Sequence, residues 1–303
     1  MSIEPATFEQ QYQALRDGNG LAELTAWSSV ALTGADRQAF LHNFCTNDVK
    51  RLVAGTNCEA FVTNVKGKIV GYGLITCRHD ELVIIATPNQ SQRLIEHLDR
   101  YIIREDVQLR DSTTERNYLL VAGECGQYAN AAIPWNLIDS EFAYLLEHSP
   151  QESSAARAYF IERGFVVAGL QAFDAARIDA GVPLFGVDFD ERNFPQEVGR
   201  DRVAISFTKG CYLGQETVAR IDALGHVNQR LAGVRFSFAA RVPEVGMQLS
   251  LTGKNVGQVT SATFSPRLNA PLALAMLRRE ANSPGTRLES PAGKCEVVSL
   301  PVG

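Results

Sequence analysis

The stretch Thr208–Arg220 reads Thr-Lys-Gly-Cys-Tyr-Leu-Gly-Gln-Glu-Thr-Val-Ala-Arg, which combines a forced turn with a helix start. Gly210 and Gly214 can take backbone angles that a Cβ forbids, so they predict a tight turn that holds Cys211 and Tyr212 in place. The residues after Gly214 are good helix formers, and Gln215–Arg220 reads as the first turn or two of a helix. A thiol just ahead of a helix N-terminus, with Lys209 beside it, ionises more readily than a free cysteine. Cys211 is therefore a candidate reactive thiol. The competing reading is a small buried packing residue, the usual fate of a free cysteine.

The length of 303 residues allows one large domain or two to three smaller ones. With 45% hydrophobic and 21% charged residues, a core of useful size is available. The formal net charge of −5 argues against a chain built to hold duplex nucleic acid, and no direct nucleic-acid partner is expected. No apolar run approaches the ~20 residues that span a bilayer, so no membrane partner is expected. Met1–Gln13 carries Glu4 and Glu9 without a basic region, which is not a signal-peptide pattern. A cytoplasmic location is the expectation. Cysteines 45, 58, 77, 125, 211 and 295 form no Cys-x-x-Cys pair, so reduced thiols and no metal site are expected.

Taken in order, Glu4–Arg16 has helical spacing at Phe8, Tyr12 and Leu15. Val30–Leu32 reads as a strand. Thr33 is a candidate N-cap, with Asp36 completing a capping-box-like arrangement ahead of a helix containing Phe40, Leu41 and Phe44. Ala60–Val62 and Ile69–Ile75 form a hairpin around the loop Asn64-Val65-Lys66-Gly67-Lys68. The two lysines could meet an anionic ligand or be an ordinary solvated turn. Leu82–Ala86, Val107–Leu109 and Tyr118–Ala122 read as strands, and Gln90–Tyr101 as an amphipathic helix. This order suggests an α+β unit with an antiparallel sheet. Gln151–Gly164 looks helical, with Phe165–Leu170 extending from it, and Gln171–Gly181 is a helix with a glycine stop. Val182–Arg202 is a long irregular stretch of the kind that carries function. Within it, Glu197 could accept hydrogen bonds from a heterocycle or simply cap a helix. After a boundary near Gly225–Gln229, five short strand-like runs between Leu231 and Leu300 predict a small β-barrel or sandwich.

Lys209-Gly210-Cys211-Tyr212-Leu213-Gly214-Gln215-Glu216 matches the Lys-Gly-Cys-Tyr-x-Gly-Gln-Glu signature of the folate-binding YgfZ family. That family resembles the aminomethyltransferase of the glycine cleavage system. The resemblance extends over nearly the whole chain, with Gly34–Asp48, Arg177–Gly186, Gly257–Pro266 and Ala273–Ala275 as further points of likeness. It implies an α+β, aminomethyltransferase-like, folate-binding fold of three sub-domains in a ring, with a C-terminal β-barrel. Residues 1–228 would form the folate-binding region, as two α+β sub-domains with the second at roughly 50–125. Residues 229–303 would form the barrel.

The same resemblance implies tetrahydrofolate or a derivative as cofactor, and iron–sulfur enzymes or assembly proteins as partners. The implied role is synthesis or repair of iron–sulfur clusters, and through them tRNA thiomethylation, with Cys211 as the critical residue. Glu197 would lie against the pterin, Arg220 would face the folate side, and Asn64 and Gly67 match the Asn-x-x-Gly of the transferase loop. Lys66 and Lys68 belong to that loop. One departure bears on the chemistry. The transferases continue as Gly-Gly-Ile-x-Asp-Asp, whereas this chain reads Gly67-Lys68-Ile69-Val70-Gly71-Tyr72. Gly71 has no side chain to relay a proton, so glycine-cleavage activity is not expected. The rival reading is a folate-dependent methyl- or aminomethyltransferase whose carboxylate comes from elsewhere, for example Asp48 or Glu59.

Overall fold

The computed structural model describes residues 6–237 and 241–302. Two compact units emerge. One comprises Met1–Thr25, Tyr118–Pro183 and Gln229–Gly303, the other Ala26–Asn117 and Leu184–Asn228.

The second unit is built on an antiparallel sheet in the order Asn57–Thr63, Ile69–Cys77, Leu82–Ala86, Ser28–Thr33, Gln108–Asp111. The hairpin and the strands predicted from alternation are all present. Successive side chains point to opposite faces, which divides the apolar residues into two layers. Val30, Leu32, Ala60, Val62, Ile75, Ile84 and Ala86 join Phe40, Leu41 and Phe44 and the helix residues Leu94 and Leu98 in one core. Phe61 and Tyr72, opposite each other across the hairpin, meet Phe189 of the irregular segment. That segment therefore gives the sheet a second apolar contact, which explains why all five residues of Leu82–Ala86 are buried. The helix predicted over Gln90–Tyr101 spans Ser91–Asp99. The one behind Thr33 starts after Asp36 and spans Arg37–His42, and no side chain caps it. The Asp36 carboxylate instead accepts from the Asp106 amide at 2.9 Å, so the expected capping box gives way to a tie between two loops.

The first unit carries a five-stranded sheet and the barrel. In the sheet, Gly20–Leu24 pairs parallel with Val166–Ala168 and antiparallel with Asn117–Ala122. The helix expected over Gln151–Gly164 is Ser153–Ile161. Gly164 at φ +84° turns the chain, and Val166–Ala168 becomes an edge strand. The first helix is Phe8–Asp17, capped reciprocally by Thr7 and Gln10; Glu4, where the sequence pattern begins, lies outside the described residues. Leu170–Ala180 ends at Gly181 in the left-handed conformation, the stop its sequence predicts.

The barrel is closed and contains six strands: Gln229–Phe236, Gln248–Leu251, Lys254–Ser265, Ala270–Arg278, Arg287–Ser290 and Gly293–Val298. Closure settles the choice between barrel and sandwich. Arg287–Ser290 escaped the sequence reading because only Leu288 of its four residues is buried, too few for an alternating signal.

Candidate functional site

The Cys211 motif is fastened to the hairpin unit at four points. Lys209 is buried, and its Nζ donates to three backbone carbonyls, His42 O at 2.5 Å, Cys45 O at 2.7 Å and Asn47 O at 3.0 Å. An ammonium has three donors, so all of them are committed. Lys209 acts as a cap on the carbonyl-rich C-terminal end of Arg37–His42, where a positive charge is favourable. Its Nζ also lies 4.9 Å from the centroid of the buried Tyr212 ring. The Leu213 amide donates to Asn43 O at 2.8 Å, and Leu213 O accepts from Thr63 Oγ1 at 2.7 Å.

Gly214 is the fourth point. It sits at φ +82°, and a Cβ there would lie 2.3 Å from Asn64 O and 2.7 Å from the Gly67 backbone. Glycine is required both for the angle and for this close approach. The helix that follows runs Gln215–Leu224, starting where the sequence places it. Gly214→Ala is expected to lose about 2 kcal/mol, from the left-handed angle and the backbone clash together. Gly225→Ala, also at positive φ but with nothing within 4 Å of its Cβ, should cost less. Denaturant midpoints of the two variants check this.

Held this way, Cys211 is exposed and carries a free thiol, which removes the packing reading. Gly210 beside it is open on one side, and the nearest heavy atom to a Cβ there is His42 Nε2 at 3.9 Å. Lys209 faces the carbonyls rather than donating to the thiol. Through these bonds it anchors the turn that carries Cys211.

The residues assigned to folate divide into two groups. Asn64, Lys68 and Glu197 are engaged in the protein's own loops. Asn64 Oδ1 accepts from the amides of Lys66 at 2.9 Å and Lys68 at 3.1 Å, closing the turn. Lys68 Nζ donates to Arg192 O at 2.6 Å and lies 3.3 Å from the Phe194 ring centroid. Burial pulls its pKa down, against the nearby carboxylates of Glu197 and Asp190. Glu197 is buried in the short helix Pro195–Val198, where Oε2 accepts from Asn193 Nδ2 at 2.9 Å and from the Phe194 amide at 3.0 Å. Lys66, Arg220 and Glu216 are exposed. Folate fits this unit in one chemical respect. Gln90 Oε1 and Gln196 Oε1 are buried acceptors without a hydrogen-bond partner, and a reduced pterin presents N–H donors. Such orphans are costly unless something satisfies them.

Two features lie outside what the sequence pattern reveals. The buried Glu59 and Tyr72 cluster with the half-buried Arg200, the Tyr72 hydroxyl donating to Glu59 Oε2 and Arg200 reaching Glu59 Oε1 at 2.5 Å and Tyr72 Oη at 3.2 Å. At Gly71 a Cβ would lie 2.6 Å from Leu94 Cδ2, inside the apolar core. A carboxylate at that position would be buried without a partner, so the glycine follows from the packing. Among the described residues no group of three metal-ligating side chains occurs, and no helix is long and apolar enough to cross a membrane.

The GCVT N-terminal domain matches residues 4–128, and the glycine cleavage T-protein C-terminal barrel domain matches residues 229–302. A chloroplastic protein of Arabidopsis thaliana named as a transferase is 24% identical, over 91% of this chain and 69% of its own length. An aminomethyltransferase of Rubrobacter xylanophilus is 25% identical, over 92% of this chain and 82% of its own. The crystal structure of glycine cleavage system aminomethyltransferase T from Bartonella henselae aligns with a TM-score of 0.82 at 19% identity, covering 99% of this chain and 90% of that one. The fold is therefore that of the aminomethyltransferases, mixed helices and sheets with a closed C-terminal barrel, and with both characteristic domains matched the chain belongs to the GcvT-like aminomethyltransferase family.

Proposed function

We propose that the protein is a folate-dependent accessory factor of the YgfZ type, which supports synthesis or repair of iron–sulfur clusters and, through them, tRNA thiomethylation. The observation that carries this reading is the exposed Cys211, presented on a glycine turn that Lys209, Leu213 and Gly214 pin to the sheet unit. Such fixation is what a positioned nucleophile needs, because a misplaced one loses its geometric advantage. Bound tetrahydrofolate would supply a reduced pterin able to carry a one-carbon unit. Toward it the chain offers the buried carboxylate of Glu197 and the two unpartnered glutamine oxygens as acceptors. The exposed Lys66 and Arg220 are suited to the carboxylates of its glutamate tail.

The rival, a methyl- or aminomethyltransferase, draws on the names of the relatives. Against it stands Gly71, which has no side chain to relay a proton where the transferases carry an aspartate.

Calorimetric titration of tetrahydrofolate into the wild type and into Glu197→Gln tests the cofactor; the variant keeps an acceptor for the loop and removes the charge. The expected result is binding that weakens about tenfold, or about 1.4 kcal/mol, in the variant. In a strain lacking the native gene, Cys211→Ala should fail to restore the activity of cluster-dependent enzymes. Full restoration would refute the thiol's role.

A further inference from the structure

Asp179 is 1% exposed, near the C-terminal end of Leu170–Ala180. Four segments of the first unit meet at it. From the helix Phe8–Asp17, the Tyr12 hydroxyl donates to Oδ2. From the last position of the barrel strand Lys254–Ser265, Ser265 Oγ donates to the same oxygen at 3.0 Å. From the end of the chain, the Val302 amide donates to Asp179 O at 2.9 Å. Asp179 Oδ1, by contrast, is buried and has no hydrogen-bond partner among the described residues. The carboxyl group thus joins two helices to the barrel through one oxygen and strands the other.

A carboxylate carries its charge on both oxygens, and a buried one with a missing donor is costly. A neutral carboxyl keeps the bonds from Tyr12 and Ser265 without the stranded charge. We infer that Asp179 is a pH-sensitive latch: with a proton it fastens the two helices to the end of the barrel, and on losing it the joint weakens. Neither Cys211 nor any residue assigned to folate takes part, so the latch is independent of the proposed function.

The charged groups around Asp179 do not cancel the cost. Arg16, one turn beyond Tyr12, has its guanidinium carbon 5.9 Å from the Tyr12 ring centroid, and its buried Nε has no hydrogen-bond partner among the described residues. Arg267, two residues past Ser265, donates to Asp139 Oδ2 at 2.7 Å. On the helix of Asp179 itself, Arg177 is committed to Asp174, Val182 O and Ser261. Burial prevails over the Tyr12 and Ser265 bonds and over Arg267 and Arg16, and it holds the Asp179 carboxyl above the usual carboxylate range. Burial and the bond to Asp179 push the Tyr12 phenol up, so its hydroxyl stays a donor.

The sign follows from linkage. A folded state that binds the proton more readily than the unfolded chain gains stability as pH falls through its own titration. The gain is complete below about 3.9, the value of an unperturbed aspartate. Asp190, whose carboxyl Arg192 holds low, works in the opposite direction, so the stability readout is a difference between variants.

The test follows the full chain from about pH 4 to 8. By carbon-13 resonance, the Asp179 carboxyl should titrate above the ordinary aspartate value. Tyr12→Phe, which takes a donor from the ionised form, should move that step higher. Relative to Asp179→Asn, which cannot ionise, the wild type should lose about tenfold in its folding constant, read by urea titration, as pH rises through the step. Protection of the Val302 amide from hydrogen exchange, compared with the same variant, should fall over the same range. An Asp179 carboxyl that titrates at or below the ordinary value overturns the inference. So do parallel stability profiles, or Val302 protection that ignores the step. The carboxyl titration uses the wild type alone and decides the matter if a variant does not fold.

Discussion

Lys209→Met should cost about 3 kcal/mol of folding stability and loosen the Cys211 turn, the larger effect of any single change in the motif. The argument is one of unmade hydrogen bonds. Methionine fills nearly the volume of the lysine stem but strands the carbonyls of His42 and Cys45, which the ammonium now satisfies, while Asn47 O keeps its bond from the Val49 amide at 3.1 Å. Each buried acceptor left without a partner costs about 1–3 kcal/mol, and the released desolvation cost of the ammonium offsets part of the sum. Lys209→Arg should not restore stability, because a planar guanidinium cannot converge on three carbonyls arranged around a point charge. Hydrogen exchange at the Leu213 amide, bonded to Asn43 O at 2.8 Å, should accelerate in both variants. Wild-type stability and protection in Lys209→Met would show that the lysine is not an anchor.

The Lys209 result bears on how far the sequence could be read. Local patterns placed the hairpin around Asn64–Lys68, the helix after Gly214, the stop at Gly181 and the barrel strands. Each of these depends on residues that are neighbours in the chain. The direction of Lys209 does not. Its partners lie 167, 164 and 162 residues away, so its neighbours in the chain give no sign of them. Glu197 illustrates the converse. A cap and a ligand contact call for the same residue type, and only the bonds to Asn193 and Phe194 show that capping is at least part of its work.

Arg200→Met carries the other large expectation, a loss of about 3–5 kcal/mol. Arg200 sits at the end of the irregular segment and reaches Glu59, 141 residues earlier, and Tyr72, 128 residues earlier. Its side chain is 14% exposed and that of Glu59 8%, so solvent screening is weak. Burial opposes the guanidinium charge, yet Tyr72 and Glu59 outweigh it and hold Arg200 firmly protonated. Burial and the Glu59 carboxylate push the Tyr72 phenol up, so its hydroxyl remains a donor. Removing Arg200 takes the guanidinium away from a buried carboxylate that keeps its bond from the Tyr72 phenol. Arg200→Met with Glu59→Met should recover part of the loss, since an apolar pair replaces a desolvated ion pair while the buried Tyr72 hydroxyl loses its bonds to both. Urea titrations of the wild type and the two variants separate the outcomes. A small loss in Arg200→Met would mean that water already reaches Glu59. The cluster would then not be what clamps the irregular segment, and Glu197 within it, onto the hairpin.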